Sequence, residues 1–211
     1  MPVRLIATDL DGTFFGDDHR PAPRTVAATN AARDAGIHVV AITGRSHFSG
    51  IELARSTGAR LEWFIGSNGG HRVNLETEVM EERLLFPAEE VARLRADLAT
   101  ALGDVGFGWE MLQSVVYDQR FVELSPVSIN GDERVAAPPP HPTEEVGKVF
   151  VGHPEVTTIE LVDMVAPHVG PESTVTTSGA PFVEITPAAA DKGSALARLC
   201  GLLGIEADEV V

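Results

Sequence analysis

Residues 3–13 read Val-Arg-Leu-Ile-Ala-Thr-Asp-Leu-Asp-Gly-Thr and begin the fold of this chain. The mostly apolar run 3–8 predicts a buried parallel strand, and the acidic pair Asp9 and Asp11 follows directly at its carboxyl end. Open parallel sheets bind their ligands outside the carboxyl ends of the strands. The sequence therefore places a candidate functional site at this edge of the first strand.

An alternation of strands and helices continues to residue 70. The apolar spacing and the helix-stopping Gly36 and Gly58 predict helices over 24–35 and 47–57 and strands over 37–42 and 62–65. Such a β-α-β-α-β series implies right-handed crossovers and a parallel sheet with helices on both faces. The fold class that we expect is α/β, with a doubly wound, Rossmann-like core.

The pattern changes in the middle of the chain. We predict a hairpin over 71–84, a helix over 87–102, strands within 107–124 with a turn near Asp118, a stiff loop over 136–142, and a strand, a helix and a strand over 148–152, 155–169 and 174–177. The first pattern returns with a strand over 182–185 and a helix over 192–203. We therefore expect a core made of 1–84 and 182–211, with an α+β cap inserted over 85–181.

Composition narrows the choice of partners. The 211 residues carry a formal net charge of −15, which disfavours nucleic acid and anionic membranes as partners. The single cysteine, Cys200, excludes a disulfide within the chain and fits a reducing compartment. The N-terminus lacks the layout of a signal peptide, and no apolar run is long enough to span a membrane. These features predict a cytoplasmic location.

Asp9 and Asp11 project from the same side of an extended segment. Two carboxylates about 4 Å apart repel by roughly 4 kcal/mol at an effective dielectric constant near 20. Either a hard cation such as Mg²⁺ or protonation of one acid relieves this repulsion, and the second route supplies a general acid. The alternative is that Asp-x-Asp-Gly only marks a strand-to-turn junction. No basic residue lies close in sequence to neutralise the pair.

Four further residues are candidates for binding a phosphate. Thr43 and Gly44 end the second strand, where a hydroxyl and backbone N–H groups suit phosphate oxygens, although a capped helix start is the commoner explanation for these two residues alone. Lys192 opens a helix against the helix dipole, a locally unfavourable placement that points to function, although a surface lysine is the commoner case. Asn68 ends the third strand at the same edge, where a turn alone would explain it.

Taken together, these segments resemble the haloacid dehalogenase superfamily, and its Cof-type phosphatase branch in particular. The resemblance covers essentially the whole chain. It rests on Asp-Leu-Asp-Gly-Thr at 9–13, Ile-Thr-Gly-Arg at 42–45, Ser-Asn-Gly-Gly at 67–70, and Phe-Val-Glu-Ile-Thr-Pro-Ala-Ala-Ala-Asp-Lys-Gly-Ser-Ala-Leu at 182–196.

The resemblance implies a reaction and a role for each residue. Asp9 would attack the phosphoryl group to form an aspartyl-phosphate, and Asp11 would act as general acid and then general base. Mg²⁺ would be held by the Asp9 carboxylate and the Asp11 backbone carbonyl. Thr43, Gly44 and Lys192 would bind the phosphate, and the cap would select a small phosphorylated metabolite, with sugar phosphates expected first. Asn68 is a further candidate contact.

The superfamily's fourth motif, Gly-Asp-x-x-Asn-Asp, is not found in the chain, which ends at 206–211 with what resembles the approach to the next strand. We therefore expect a truncated form with weak metal binding and poor turnover. A phosphomutase of the same superfamily and a non-catalytic remnant that binds a phosphometabolite stay open as alternatives. A response-regulator receiver is disfavoured because the third strand ends in Ser67 and Asn68 and not in an aspartate.

Overall fold

The fold is described by a computed structural model that covers residues 2–16, 18–124, 142–178 and 180–211. The strands are β1 (Leu5–Thr8), β2 (His38–Ile42), β3 (Trp63–Gly66), β4 (His71–Asn74), β5 (Val79–Arg83), β6 (Gly106–Met111), β7 (Val115–Tyr117), β8 (Val146–Gly152), β9 (Ser173–Thr176) and β10 (Val183–Pro187). The helices are α1 (Pro23–Asp34), α2 (His47–Ser56), α3 (Ala88–Leu102), α4 (Gln119–Leu124), α5 (Thr158–Val165) and α6 (Lys192–Leu203). They fall into two compact units, one from Met1–Arg83 with Ala190–Val211 and one from Leu84–Ala189.

The first unit contains a five-stranded sheet in the order β1-β2-β3-β4-β5. Strands β1, β2 and β3 are parallel, and the β4–β5 hairpin continues the sheet in antiparallel fashion. On the other side of β1, Val211 accepts a hydrogen bond from the Ala7 N–H at 2.7 Å and donates one to the Leu5 carbonyl at 3.0 Å. The expected approach to a further strand after residue 206 is therefore present as a parallel pairing beside β1.

Alternate residues of the parallel strands bury both faces of this sheet. Val40, Ile42 and Ile65 pack with Ala195 and Leu199 of α6. The intervening residues of the same strands enter a second core with Leu10, Phe14 and Phe15 and with side chains of α1 and α2; this core includes Val39, Ala41 and Phe64. Burial on both faces is the physical reason for the continuous apolar runs in the sequence, and it confirms the predicted doubly wound core.

The second unit contains an antiparallel sheet in the order β7-β6-β8-β10-β9. Its apolar core joins α3 and α5 to one face of the sheet through residues such as Leu98, Trp109, Val149, Leu161 and Ile185. The predicted α+β character of the inserted module is confirmed.

Two sequence expectations differ from the structure. We expected the strand after residue 182 in the core sheet, but β10 pairs with β8 and β9, so 182–189 belong to the second unit. Residues 183–186 are all buried, and burial on both faces occurs in a parallel core strand and in a central antiparallel strand alike. We also expected strands up to residue 124, but Asp118 accepts a hydrogen bond from the Phe121 N–H at 2.7 Å and starts α4. The predicted loop over 136–142 lies, except for Pro142, outside the described residues.

Among the residues that the structure describes, no helix combines the length and apolar character needed to cross a membrane.

Candidate active site

The ends of the parallel strands and the start of α6 bring the predicted site residues into one unit. Asp9 follows β1, Thr43 follows β2 and Ser67 follows β3, while Lys192 is the first residue of α6. Because β1, β2 and β3 are parallel neighbours, their carboxyl ends lie along one edge of the sheet. All six residues proposed from the sequence belong to the first unit.

The loop after β1 holds its two acids toward solvent. Leu10 between them is fully buried, whereas the side chains of Asp9 and Asp11 are 38% and 43% exposed. Gly12 turns the chain with a φ of 72°, a left-handed value that glycine adopts without steric cost. Buried Leu10 therefore anchors the segment and leaves the two carboxylates available at the surface of the sheet edge.

Two cations from distant parts of the sequence pair with these acids. Lys192 Nζ lies 3.1 Å from Asp9 Oδ1, across a separation of 183 residues. Arg45 donates from Nε to Asp11 Oδ2 at 2.8 Å and from Nη2 to Asp11 Oδ1 at 2.7 Å. The sequence offers no base close to the pair along the chain, and the fold supplies one cation to each carboxylate from distant positions, Lys192 to Asp9 and Arg45 to Asp11.

The Arg45 fork also sets the protonation of Asp11. The hydrogen bonds from Arg45 hold the pKa of the Asp11 carboxyl below its ordinary value, against partial burial that raises it. The charges of Arg45 and of His19, whose Nδ1 is 3.6 Å from Asp11, add to the lowering. Asp11 is therefore ionised near neutral pH.

The turn after β2 is folded around the Thr43 hydroxyl. This oxygen is buried and accepts a hydrogen bond from the Arg45 N–H at 3.2 Å. The Ser46 side chain makes no capping bond at the start of α2 and instead lies 2.7 Å from Ser49 Oγ. Thr43 therefore stabilises the turn before α2, which was the structural alternative to phosphate binding, and this hydrogen bond fixes the path of the backbone through Gly44.

The turn after β3 has three successive residues with positive φ: Ser67 at 51°, Asn68 at 58° and Gly69 at 111°. Such backbone conformations cost about 1–3 kcal/mol for a residue other than glycine and persist where the surroundings enforce them. Here the Ser67 N–H donates to the Arg45 carbonyl at 2.8 Å and the Asn68 N–H donates to the Thr43 carbonyl at 3.0 Å. The two turns are thereby joined through their backbones.

This geometry brings Asn68 to the predicted phosphate loop. The Asn68 side-chain oxygen lies so close to Gly44 that a Cβ atom at that position would be 2.8 Å from it. A side chain at residue 44 would therefore displace the Asn68 carboxamide. Asn68, which a turn alone could have explained from the sequence, is adjacent to Gly44 in the structure.

The start of α6 packs on the same turn. Asp191 caps the helix by accepting a hydrogen bond from the Ser194 N–H at 2.8 Å. A Cβ atom at Gly69 would lie 2.5 Å from the Asp191 carbonyl oxygen. The turn after β3 therefore sets the position from which Lys192 reaches Asp9.

The donor set suits a hard cation. Within the described ranges, no group of three or more His, Cys, Asp or Glu side chains converges. Asp9 would offer a carboxylate and Asp11 a backbone carbonyl, and Mg²⁺ commonly takes one or two carboxylates with water and substrate oxygens. These oxygen donors at an exposed sheet edge fit Mg²⁺ and not a metal that prefers nitrogen or sulfur.

Sequence reasoning did not assign a role to Arg45 or His71. Arg45 is the last residue of the Thr-Gly-Arg segment after β2. Its position at the same sheet edge as Asp9 and Asp11 was a signal that its guanidinium could pair with one of these acids. His71 is fully buried, with Nδ1 3.0 Å from Ser67 Oγ, and no sequence spacing pointed to it. Both act through contacts that only the folded chain provides.

The fold of the chain is shared with solved structures of a known class of enzymes. The chain matches the family model of the haloacid dehalogenase-like hydrolases over residues 6–211 and belongs to that family.

Individual relatives support this assignment. Phosphatase YwpJ of Bacillus subtilis is 37% identical over 67 residues, which are 32% of this chain and 23% of YwpJ. HMP-PP phosphatase of Enterobacter sp. is 28% identical over 217 residues, 96% of this chain and 74% of that protein. The solved structure of BT4131, described as a subclass IIB sugar phosphatase, has a TM-score of 0.76 at 18% identity and covers 99% of this chain and 79% of its own.

Proposed function

We propose that the chain is a phosphatase that hydrolyses a small phosphorylated metabolite and uses Asp9 as its nucleophile. The observation that carries the proposal is the contact between Lys192 and Asp9 at the edge where the turns after β2 and β3 also meet. Few structural needs would place a half-exposed lysine at a helix N-terminus against a half-exposed aspartate. A phosphoryl group adjacent to both would explain the arrangement.

Asp9 would attack through one of its two oxygens. Its Oδ1 accepts hydrogen bonds from the Leu10 N–H at 2.9 Å and from Lys192 at 3.1 Å, and within the described residues both contacts fall on this oxygen. Oδ2 is thus the oxygen that would form a bond to phosphorus as the bond to the leaving oxygen breaks. The product would be an aspartyl-phosphate that water then hydrolyses.

Asp11 would transfer the proton. As general acid it would protonate the leaving oxygen, and as general base it would then take a proton from the attacking water. Since Arg45 lowers the pKa of Asp11, the base form is favoured before substrate binds. An incoming phosphate brings negative charge beside this carboxylate and raises its proton affinity, which favours the acid form in the complex.

The phosphate oxygens would be held by groups from two turns and from the start of α6. The Gly44 backbone N–H and the Thr43 hydroxyl would contribute from the turn after β2, the Asn68 carboxamide from the turn after β3, and Lys192 from α6. Backbone N–H groups and an ammonium are suitable donors for the charge that develops in phosphoryl transfer. They would also offset locally the formal net charge of −15 that repels an anionic substrate.

Asp9, through its carboxylate, and Asp11, through its backbone carbonyl, would hold Mg²⁺. The ion would supply charge neutralisation at the phosphate oxygens. For the substrate we propose a sugar phosphate, in line with the description of BT4131, while the name of the Enterobacter relative makes HMP-PP a second compound to assay.

The test is phosphate release from p-nitrophenyl phosphate and from a panel of sugar phosphates and HMP-PP, with Mg²⁺ and with EDTA. We expect metal-dependent turnover that Asp9→Asn lowers by about 10³-fold or more. Asp34→Asn is the matched control, because it makes the same chemical change at an exposed acid that pairs with Arg60. The control should retain the parent's rate.

The outcomes separate the candidate functions. Turnover that survives Asp9→Asn would refute the assigned nucleophile. Phosphate release that appears only with a bisphosphorylated activator would favour a phosphomutase. Binding of phosphorylated metabolites without turnover in any metal would favour the non-catalytic alternative.

A further inference from the structure

We propose that His71 is a positioning residue that holds Asn68 at the phosphate site by fixing Ser67. This inference rests on the proposed function, since it explains how one group of that site is kept in place. It concerns a buried histidine that has no assigned role in phosphoryl transfer.

His71 is buried to a degree that requires a reason. It is the first residue of β4, directly after the turn that carries Asn68, and both it and Ser67 are fully buried. Its Nδ1 lies 3.0 Å from Ser67 Oγ. An apolar side chain would occupy such a position at lower desolvation cost, so a buried imidazole bonded to a hydroxyl points to a requirement for that hydrogen bond.

The bond acts on the residue where the backbone leaves the strand. Ser67 is the first of the three residues with positive φ, and serine has no intrinsic preference for that region. Backbone bonds to Arg45 and Thr43 hold the turn from the side of β2. The His71–Ser67 bond holds the same residue from the side of β4, so that the hydroxyl and the backbone of Ser67 are fixed together.

His47 fixes the ring of His71 in turn. The two ring centroids are 5.1 Å apart with an interplanar angle of 63°, an edge-on contact. His47 is buried at the first position of α2, immediately after the Thr43–Ser46 turn, and burial lowers the pKa of its imidazole. His47 is therefore neutral near pH 7. Its ring, at the start of α2, packs against the ring of His71 at the start of β4.

These contacts make one connected path to the phosphate site. His71 fixes Ser67, the following residue Asn68 lies against Gly44, and Gly69 lies against Asp191 before Lys192. Loss of the imidazole would release the turn toward ordinary backbone conformations. Asn68 would then move away from Gly44. We expect this to weaken phosphate binding more than it slows the chemical step.

The test compares His71→Leu with His71→Asn. Leucine keeps apolar volume and removes the hydrogen bond, whereas the asparagine amide places a polar atom close to the position of Nδ1. The readouts are the dissociation constant of inorganic phosphate by calorimetry, with Mg²⁺ present, and the separate values of KM and kcat for the substrate found above.

We expect His71→Leu to weaken phosphate binding roughly five- to tenfold, the loss of about one hydrogen bond, and to raise KM more than it lowers kcat. His71→Asn should stay within about twofold of the parent. A fall in kcat alone, or equal losses in both variants, would overturn the inference.

A double-mutant cycle with Asn68→Ala tests the path itself. If His71 acts through Asn68, His71→Leu should have little further effect on phosphate binding in the Asn68→Ala background. Additive losses would mean that His71 supports the fold in general and would overturn the inference. Should His71→Leu not fold, Ser67→Ala replaces it in the cycle with the same expectation.

The two proposals fail in different ways. Phosphate binding that depends on His71 through Asn68, without turnover, would support the inference and refute the phosphatase. Turnover together with additive effects of His71→Leu and Asn68→Ala on phosphate binding would support the phosphatase and overturn the inference about His71. A parent chain that does not bind inorganic phosphate would overturn the inference.

Discussion

Gly69 lets the turn after β3 pass directly beneath the start of α6, and replacing it with alanine tests how closely the site is packed. A Cβ atom there would lie 2.5 Å from the Asp191 carbonyl oxygen, 2.8 Å from its carbon and 3.0 Å from Ala195 Cβ. An ordinary contact begins near 3.4 Å, so α6 or the turn must move by about 0.9 Å. The opposing atoms are mainly backbone, which cannot rotate away.

Two costs add in Gly69→Ala. A residue with a side chain at a φ of 111° is strained by about 1–3 kcal/mol, and overpacking costs about 1–3 kcal/mol. We expect the free energy of unfolding of the first unit to fall by about 3 kcal/mol. Because Lys192 follows Asp191, we also expect its contact with Asp9 to be disturbed and kcat/KM to fall at least about tenfold.

Urea unfolding followed by tryptophan fluorescence measures the first effect. In a Trp109→Phe background, buried Trp63 reports on the first unit alone. Gly201→Ala is the matched control, since a Cβ atom there meets nothing within 4 Å and alanine should stabilise α6 by about 0.5–1 kcal/mol. A Gly69→Ala protein within 0.5 kcal/mol of the parent, or one with unchanged turnover, would refute the reasoning.

Three further predictions concern protonation and helix capping. Arg45→Met removes the hydrogen bonds and the charge that lower the pKa of Asp11, so the alkaline limb of the kcat/KM profile should move to higher pH; an unmoved limb would contradict the assignment of Asp11 as general acid. Asp191→Ala should lower stability at pH 7 by about 1 kcal/mol. Hydrogen bonds from Ser194 lower the pKa of Asp191, so the difference in stability between the parent and Asp191→Ala should shrink as the pH falls below the ordinary aspartate pKa. A difference in urea midpoints between the two proteins that stays constant with pH would contradict this prediction. Thr157→Ala should remove the capping box of α5 and cost the second unit about 1 kcal/mol by thermal unfolding, whereas Thr100→Ala, at an exposed position on α3, should cost less.

Much of the first unit could be predicted because its signals are local. The α6 helix runs over Lys192–Leu203, the range expected from the sequence. The β-α-β-α-β order and the antiparallel hairpin after residue 70 were likewise expected, with bounds that differ by one or two residues.

The errors arose where one pattern fits two structures. β10 alternates apolar Val183 and Ile185 with polar Glu184 and Thr186, and all four residues are buried, so this short segment did not distinguish a parallel core strand from a central antiparallel strand. The segment after Asp118 contains β-favouring residues, but the aspartate caps a short helix whose Phe121 stacks on Tyr117 at a centroid distance of 5.1 Å. Phe121 also packs against Phe182 at a centroid distance of 5.4 Å, and such packing between distant segments overrides a local preference for strand.

The sequence by itself determined which chemical groups stand at the ends of which elements: Asp9 and Asp11 after the first strand, Thr43 and Gly44 after the second, Asn68 after the third, and Lys192 at the start of a helix. Periodicity, caps and turn residues act over a few positions, so they can be recognised in a single sequence. Only the tertiary structure decided that Lys192 contacts Asp9 and that Arg45 donates hydrogen bonds to Asp11. It also decided that His71 contacts Ser67 in the turn that carries Asn68. Such contacts join segments up to 183 residues apart and depend on the packing of both sheet faces, which brings the strand ends and α6 together.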